Sequence, residues 1–136
     1  MSLARNGLSG GLPPSWARLS RLIRLDASFN SLEGPLPPEW GPGLGALAFL
    51  NLRANSLGGG GASAGLPPAW AALSSLTVLY LDGNRLQYGL PPDWASGQAR
   101  LTELSLADNR LAGVVPPEWG AAYPSLRRGA RARPPS

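Results

Sequence analysis

Leucine recurs along the chain at fixed intervals, with polar or small residues at many of the positions between. The pattern L-x-x-L-x-L-x-x-N-x-L occupies residues 47–57 and returns at 76–86 and 101–111, and in residues 22–32 alanine replaces one leucine. The central leucines of each copy alternate with period two, which predicts a short β-strand with one buried face. Residues 1–8 fit the second half of the same pattern.

A single strand of this kind cannot bury its leucines alone. Stacking neighbouring copies at about 4.8 Å forms a parallel sheet over a continuous core. The repetition therefore predicts an α/β repeat protein, a right-handed solenoid with a short parallel sheet on its concave face. We expect irregular or 3-10 segments on the convex face.

A second motif, L-P-P-x-W, lies between the leucine patterns, and its last copy carries valine in place of leucine. Its copies hold all 5 tryptophans and occupy residues 12–16, 36–40, 66–70, 90–94 and 115–119. Paired prolines fix two φ angles and disfavour helix. The spacing of three from Trp16 to Leu19 and from Trp70 to Leu73 suits a 3-10 turn. We interpret the tryptophans as a buried ladder, and exposed rings that stack on carbohydrate are the alternative.

One asparagine follows each predicted strand, where the chain must turn. Its side-chain amide both donates and accepts hydrogen bonds, so it can satisfy backbone groups of adjacent coils. Leaving such groups buried and unpaired costs about 1–3 kcal/mol each. We therefore predict a structural ladder formed by Asn6, Asn30, Asn55, Asn84 and Asn109.

Together the two motifs resemble the leucine-rich repeat. The continuation L-x-G-x-L-P, at residues 8–13 and 32–37, is similar to the plant-specific subclass, and the LPPEW form is most similar to repeats of green-algal proteins. The resemblance covers roughly residues 1–126. It implies non-catalytic protein recognition, by a receptor-like ectodomain that senses peptides or proteins or by an intracellular scaffold. In algae, proteins with such repeats are often associated with the cilium axoneme.

Two departures from the repeat set the predicted domain boundaries. The stretch GGGGASAG at residues 58–65 predicts a surface insertion loop, with a functional lid as the alternative. Positions that require leucine or asparagine later hold Gly129, Arg131 and Pro134, so residues 127–136 are predicted to be a disordered basic tail. Residues 1–126 are then about four complete coils plus a partial first and last coil. Because the chain also opens within a unit, we expect a fragment of a longer protein with neighbouring repeats.

Positive charge is concentrated in that tail. All 12 basic residues are arginine, and four of them lie within residues 127–136, which leaves eight arginines against the 8 acids in the rest of the chain. A basic tail is a candidate for binding an anionic surface. We expect no nucleic-acid partner for the repeats, and no stretch is apolar enough over 18 residues to predict a transmembrane helix. The lack of cysteines and glycosylation sequons favours an intracellular location.

Catalytic and metal-binding chemistry has few candidate residues. The chain contains no histidine and no cysteine, which removes the commonest general base and the thiolate and imidazole metal ligands. The segment GPGLGA at residues 41–46 matches a short dinucleotide-binding motif, but the strand that the motif requires before it is missing. We therefore predict no enzymatic activity, no cofactor and no metal site.

Outward positions of the predicted strands differ from copy to copy, whereas the inward positions barely change. Arginine and aromatic residues, which are enriched at binding hot spots, are found among them. We predict a face that binds a protein or peptide ligand and is formed by Arg24, Asp26, Phe29, Phe49, Asn51, Arg53, Tyr80, Asp82, Glu103 and Asp108. The alternative is the solvated surface of a structural repeat array that has no ligand of its own.

Overall fold

The computed structural model describes residues 1–59, 61–113 and 115–122. The predicted tail, residues 127–136, lies outside the described residues. The strands in chain order are β1 (Ser9–Gly10), β2 (Arg24–Asp26), β3 (Ser31–Gly34), β4 (Phe49–Asn51), β5 (Ser56–Leu57), β6 (Val78–Tyr80), β7 (Gln87–Tyr88), β8 (Glu103–Ser105) and β9 (Arg110–Leu111). The helices are α1 (Trp40–Gly43), α2 (Trp94–Gly97) and α3 (Pro117–Ala122), with 3-10 helices at Pro14–Arg18 and Pro68–Ala72.

The leucine pattern builds the main sheet, in which parallel strands follow the order β2-β4-β6-β8. Its register aligns four buried leucines, Leu25, Leu50, Leu79 and Leu104. A parallel bridge from Ser2 to Asp26 adds the first coil at the edge. We number the coils 1 to 5 by these segments, from Ser2 through β2, β4, β6 and β8. The arrangement confirms the predicted solenoid fold.

Shorter strands lie beyond the asparagine turn of each coil. β1, β3 and β5 pair in parallel, and β7 pairs with β9. The glycine-rich insertion lies between these two groups. Its first end bridges Gly58 to Arg85, and its second end bridges Gly65 to Gln87. The inserted residues therefore interrupt this side of the solenoid and leave the main sheet continuous.

The return segments differ according to the spacing that follows the tryptophan. Where the next inward residue is three positions on, a 3-10 bond closes the turn, as from Leu73 N–H to the Trp70 carbonyl at 3.0 Å. Where it is four positions on, one α-helical turn forms, as from Leu44 N–H to the Trp40 carbonyl at 2.9 Å. The motif-like GPGLGA segment forms part of such a turn. A Cβ on its Gly43 would clash with the Ala17 backbone of the preceding coil, so close packing explains this glycine.

The tryptophans form a continuous stack through the convex side of the core. Ring centroids of successive tryptophans lie 6.0, 6.1, 6.3 and 5.9 Å apart, and the rings are within 12° of parallel. Trp40, Trp70 and Trp94 are completely buried, and Trp119 is 4% exposed. These four rings are therefore part of the core and cannot act as an exposed platform for carbohydrate, and Trp16, at the end of the stack, is half-buried.

From the second tryptophan onward, each stacked indole also bonds to the preceding coil. The Nε1–H groups of Trp40, Trp70, Trp94 and Trp119 donate to the carbonyls of Pro13, Pro37, Pro67 and Pro91, respectively, at 2.8–2.9 Å. Leucine could fill much of this space but could not satisfy the proline carbonyl. The L-P-P-x-W motif therefore couples the proline pair of one coil to the tryptophan of the next.

Candidate protein-binding face

The solvent side of the main sheet carries most of the predicted binding residues. We call it the sheet face, and we include in it the turn residues that directly follow the strands. Alternation within each strand sends the residues that flank the buried leucines outward. Two rows cross the strands: Arg24, Phe49, Val78 and Glu103 form one, and Asp26, Asn51, Tyr80 and Ser105 form the other.

Asp26 and Asn51 are engaged by their own turns. Asp26 Oδ1 accepts hydrogen bonds from the backbone N–H of Ser28 at 3.1 Å and from its hydroxyl at 2.6 Å. Asn51 Oδ1 accepts the backbone N–H of Arg53 at 3.1 Å, and Asn51 is only 9% exposed. Both side chains hold the turn after a strand, and little of Asn51 is accessible to a partner.

Three arginines each stack on an aromatic ring of the following coil. The guanidinium carbon of Arg24 lies 3.7 Å from the centre of the Phe49 ring, and that of Arg53 lies 4.4 Å from the centre of the Tyr80 ring. Arg5 lies 4.2 Å from the centre of the Phe29 ring in the same way. Exposed cation–π contacts contribute about 0.5–1 kcal/mol each. They therefore hold these side chains in position but add little to the stability of the fold.

Contacts between side chains continue across coils 2 to 5. The Phe49 and Tyr80 rings meet edge to face, with centroids 6.0 Å apart and an interplanar angle of 88°. The Tyr80 hydroxyl donates to a carboxylate oxygen of Glu103. Arg53 Nε donates to Asp82 Oδ1 at 3.2 Å and forms an ion pair with it. One connected network therefore joins six of the predicted residues, which are Arg24, Phe49, Arg53, Tyr80, Asp82 and Glu103.

Phe29 and Asp108 lie at the turn that ends the sheet face. Each adopts the left-handed conformation, with φ of 56° and 55°, and each directly precedes a ladder asparagine. Arg5, Ala54 and Gly83 have the same conformation at the same position of their coils. Phe29 is 44% exposed beside the Arg5 guanidinium. The left-handed turn therefore presents the residue before each asparagine at the edge of the face.

The asparagine side chains link successive coils at this turn. Asn84 Nδ2 donates to the carbonyls of Leu52 and Leu81, both at 3.0 Å, and its Oδ1 accepts the N–H of Leu57 at 3.0 Å. Asn30, Asn55 and Asn109 make corresponding bonds in their coils. Asn6 contributes its backbone N–H to Asn30 Oδ1 at 2.9 Å, and its own side chain is exposed.

The predicted set of binding residues leaves out Arg5, and sequence reasoning gave no role to Tyr88 or to the groove beside the insertion. Arg5 joins the face because it stacks on Phe29, and its position before an asparagine was the available signal. In the second set of strands, Tyr88 takes φ of 68° where coils 1 and 2 carry a left-handed glycine, and its hydroxyl donates to the Gly61 carbonyl at 3.0 Å. The insertion also walls an apolar groove of about 320 Å³, lined in part by Pro35, Pro38, Ala62 and Pro68.

The described residues contain no cluster of histidine, cysteine or acidic side chains that could hold a metal ion. None of the helices in the described part of the chain has the length and apolar character that a membrane crossing needs. Every buried side-chain nitrogen or oxygen among these residues has a hydrogen-bond partner.

Comparison with known proteins identifies the repeat. Residues 21–42, 75–96 and 100–122 match the family model described as Leucine Rich Repeat. A chain of the BIR3–SERK2 complex from Arabidopsis thaliana is 32% identical, with a TM-score of 0.78, and the match covers 100% of this chain and 71% of that one. The chain belongs to the leucine-rich repeat family. The family's fold is typically a non-catalytic recognition module, and no enzyme family is indicated.

Two further Arabidopsis structures show how much of a leucine-rich repeat ectodomain is present. The BIR2 ectodomain is 35% identical, with a TM-score of 0.78, and the match covers 87% of this chain and 58% of that one. The ectodomain of the receptor kinase GASSHO1/SCHENGEN3, solved with CASPARIAN STRIP INTEGRITY FACTOR 2, is 30% identical, with a TM-score of 0.77, 87% coverage of this chain and 13% of that one. This leucine-rich repeat chain therefore spans little more than half of the first ectodomain. No curated protein matches its sequence.

Proposed function

We propose that this leucine-rich repeat chain is a recognition module that binds a protein or linear peptide through the sheet face, as part of a longer receptor-like or scaffold protein. The observation that carries the proposal is the connected arginine, aromatic and carboxylate network on a face whose residues change from coil to coil. The interior of the same coils repeats leucine, asparagine and tryptophan. Variation confined to an exposed face is what a binding specificity requires.

The composition and rigidity of the network favour binding. Tyrosine and arginine are enriched at hot spots, where a few side chains carry most of the binding energy. Here Arg24 and Arg53 are already stacked on Phe49 and Tyr80, so a partner would order few side chains on contact. Ordering each flexible side chain at an interface costs about 0.5–1.5 kcal/mol, and prior stacking reduces that cost.

Structural neighbours support the same class of function. The GASSHO1/SCHENGEN3 ectodomain was solved with a factor bound, and the BIR3–SERK2 structure is a complex of two proteins. This chain spans only a part of those proteins. We therefore propose only the class of ligand, which is a protein or peptide.

A displayed random-peptide library, selected against the purified chain, tests the proposal. Selected peptides should bind the native chain and lose at least about tenfold in affinity when Phe49 and Tyr80 are both replaced by alanine. The matched control is Tyr88→Ala, which removes an aromatic side chain that is 50% exposed and lies outside the main sheet, in β7. Retained binding in the double variant, or equal loss in the control, would overturn the proposal.

The two other hypotheses predict different results, the first in the peptide selection and the second in a vesicle-binding assay. A structural array without a ligand would yield no peptide whose binding saturates. Binding of anionic vesicles through the basic tail would survive the Phe49→Ala and Tyr80→Ala substitutions and would disappear when residues 127–136 are deleted.

A further inference from the structure

Asn6 differs from the other ladder asparagines in its surroundings and in the residue that follows it. It precedes Gly7, whereas the ladder asparagines of coils 2 to 5 precede serine or arginine. The Asn6 side chain is exposed and makes no hydrogen bond within the described part of the chain. The others all donate their side-chain amide to a neighbouring coil, and they are Asn30, Asn55, Asn84 and Asn109.

The backbone nitrogen after the asparagine shows the same difference. In coils 2, 4 and 5 its N–H donates to a carbonyl of the preceding coil at 2.7–2.8 Å, in the pairs Ser31 to Leu8, Arg85 to Leu57 and Arg110 to Leu86. The N–H of Gly7 has no partner among the described residues, although the N–H groups of Asn6 and Leu8 on either side both donate to Asn30 Oδ1. The space where a Cβ of Gly7 would lie is also empty.

An accessible backbone nitrogen beside an unbonded asparagine amide permits a reaction within the chain. After losing its proton to hydroxide, the Gly7 nitrogen can attack Cγ of Asn6. A bond forms between these two atoms, the Cγ–Nδ2 bond breaks, and the amide leaves as ammonia with a proton from water. The resulting five-membered cyclic imide is then opened by water. Attack of water at Cγ gives aspartate, and attack at the backbone carbonyl carbon gives isoaspartate.

We propose that Asn6 is a site of spontaneous deamidation in this chain, whereas the asparagines that bond between coils stay intact. Glycine favours the reaction because it has no Cβ to hinder its nitrogen. A ladder asparagine must first leave its hydrogen bonds, and the loss of two such bonds lowers the population of the reactive state at least about tenfold. A further coil stacked on coil 1 would give the Asn6 amide a carbonyl partner, so the reaction depends on the exposure of coil 1.

The two products affect coil 1 differently. Both place a carboxylate next to Arg5 in the chain, but isoaspartate also adds an atom to the main chain at position 6. Hydrogen bonds fix the length of this segment on both sides, from Arg5 N–H to the Ser28 carbonyl at 3.0 Å and from Leu8 N–H to Asn30 Oδ1 at 3.0 Å. The isoaspartate form should therefore lose at least one of these bonds and loosen coil 1 from coil 2.

Incubation of the purified full chain at mildly alkaline pH tests the proposal, with peptide mass spectrometry that separates aspartate from isoaspartate. Asn6 should convert at least about tenfold faster than any other ladder asparagine. The rate should rise with pH, because the attacking nitrogen is deprotonated. A rate for Asn6 no higher than those of the other ladder asparagines would overturn the proposal.

Ser31→Gly separates the effect of the structure from that of the asparagine–glycine pair. This variant places Asn30 before a glycine and leaves the groups that bond to its side chain in place. In the folded variant Asn6 should react at least about fivefold faster than Asn30, and in concentrated urea the two rates should agree within about twofold. Equal rates in the folded variant would show that the pair alone decides, and would overturn protection by the ladder.

Amide hydrogen exchange at Arg5 and Leu8 tests the effect on coil 1. The isoaspartate form, separated by ion exchange, should exchange at these amides at least about fivefold faster than the unmodified chain. Asn6→Asp is the matched control, because it adds the same charge without lengthening the main chain, and its exchange should stay unchanged. Unchanged exchange in the isoaspartate form, or equal acceleration in Asn6→Asp, would overturn the effect that we assign to the longer main chain.

Discussion

Two rows of aromatic side chains run along this solenoid, and they differ in burial, in residue type and in how neighbouring rings meet. The tryptophan stack repeats one residue type in every coil, with parallel rings and buried indoles. The aromatic residues of the sheet face differ from coil to coil, are partly exposed, and meet their neighbours edge to face or through arginine. Both rows follow the same coil spacing, so spacing alone does not decide what a position carries.

The surroundings of each row explain the contrast. Every tryptophan has a ring above it or below it and, from coil 2 onward, a proline carbonyl that its N–H must satisfy. Because each of these coils requires both a stacked ring and an N–H donor at this position, tryptophan is the one suitable residue type. Positions on the sheet face border solvent, so many residue types can occupy them at little cost in stability. Substitutions should therefore affect the two rows by very different amounts.

The largest effect is expected for Trp70→Ala, which removes a completely buried ring from the middle of the stack. The cavity and the unpaired Pro37 carbonyl should lower the free energy of unfolding by about 3–5 kcal/mol. Denaturant titration followed by circular dichroism measures the loss. Trp16→Ala is the control, because Trp16 is half-buried at the end of the stack, and it should cost less than half as much.

Asn84→Ala should follow, with a loss of about 3 kcal/mol, because buried backbone groups of Leu52, Leu57 and Leu81 lose their partner. Asn6→Ala provides the comparison at the same repeat position, since the Asn6 side chain is exposed. Its cost should be below about 0.5 kcal/mol. Similar losses in the two variants would show that the asparagines act through the unfolded chain and not through coil-to-coil bonds.

Two substitutions at the left-handed turn are expected to have smaller effects on stability, and the effects should be of opposite sign. Gly83 and Ala54 occupy the same repeat position with φ of 70° and 57°. Gly83→Ala should destabilise the protein by about 1 kcal/mol, because a Cβ disfavours this conformation. Ala54→Gly removes that cost but increases the conformational entropy of the unfolded chain, so the net gain in the free energy of unfolding is about 0.5 kcal/mol. Thermal unfolding of both variants should move the midpoint in opposite directions, and shifts of the same sign would contradict the argument.

The smallest effect is expected on the sheet face itself. A double-mutant cycle with Arg24→Ala and Phe49→Ala should give a coupling of about 0.5 kcal/mol, typical of an exposed cation–π contact. Arg85→Ala in place of Arg24→Ala should give no coupling with Phe49→Ala. A coupling above about 2 kcal/mol would mean that this contact holds the fold, as the tryptophan stack does.

Most of the repeat architecture could be predicted because its signal recurs. The period-two leucines place Leu25, Leu50, Leu79 and Leu104 in one buried register, and the structure agrees. The outward direction of Arg24 and Tyr80 followed from the same alternation. The hydrogen bond of Asn51 within its own turn could not be predicted in this way. Alternation indicates the face of the sheet on which a side chain lies, but not how far neighbouring residues cover it.

The repeated pattern is enough to set the winding of the chain, because leucines and tryptophans that recur in each coil have one way to be buried together. The organisation of the sheet face, in contrast, depends on how the folded coils are placed beside one another. Arg24 and Phe49 are far apart along the chain, and nothing in either residue predicts a contact until the main sheet sets their strands side by side. The same holds for the hydrogen bond from Tyr88 to Gly61, which depends on the path of the insertion. Repetition encodes the core, whereas contacts between unlike residues depend on distances that only the folded chain defines.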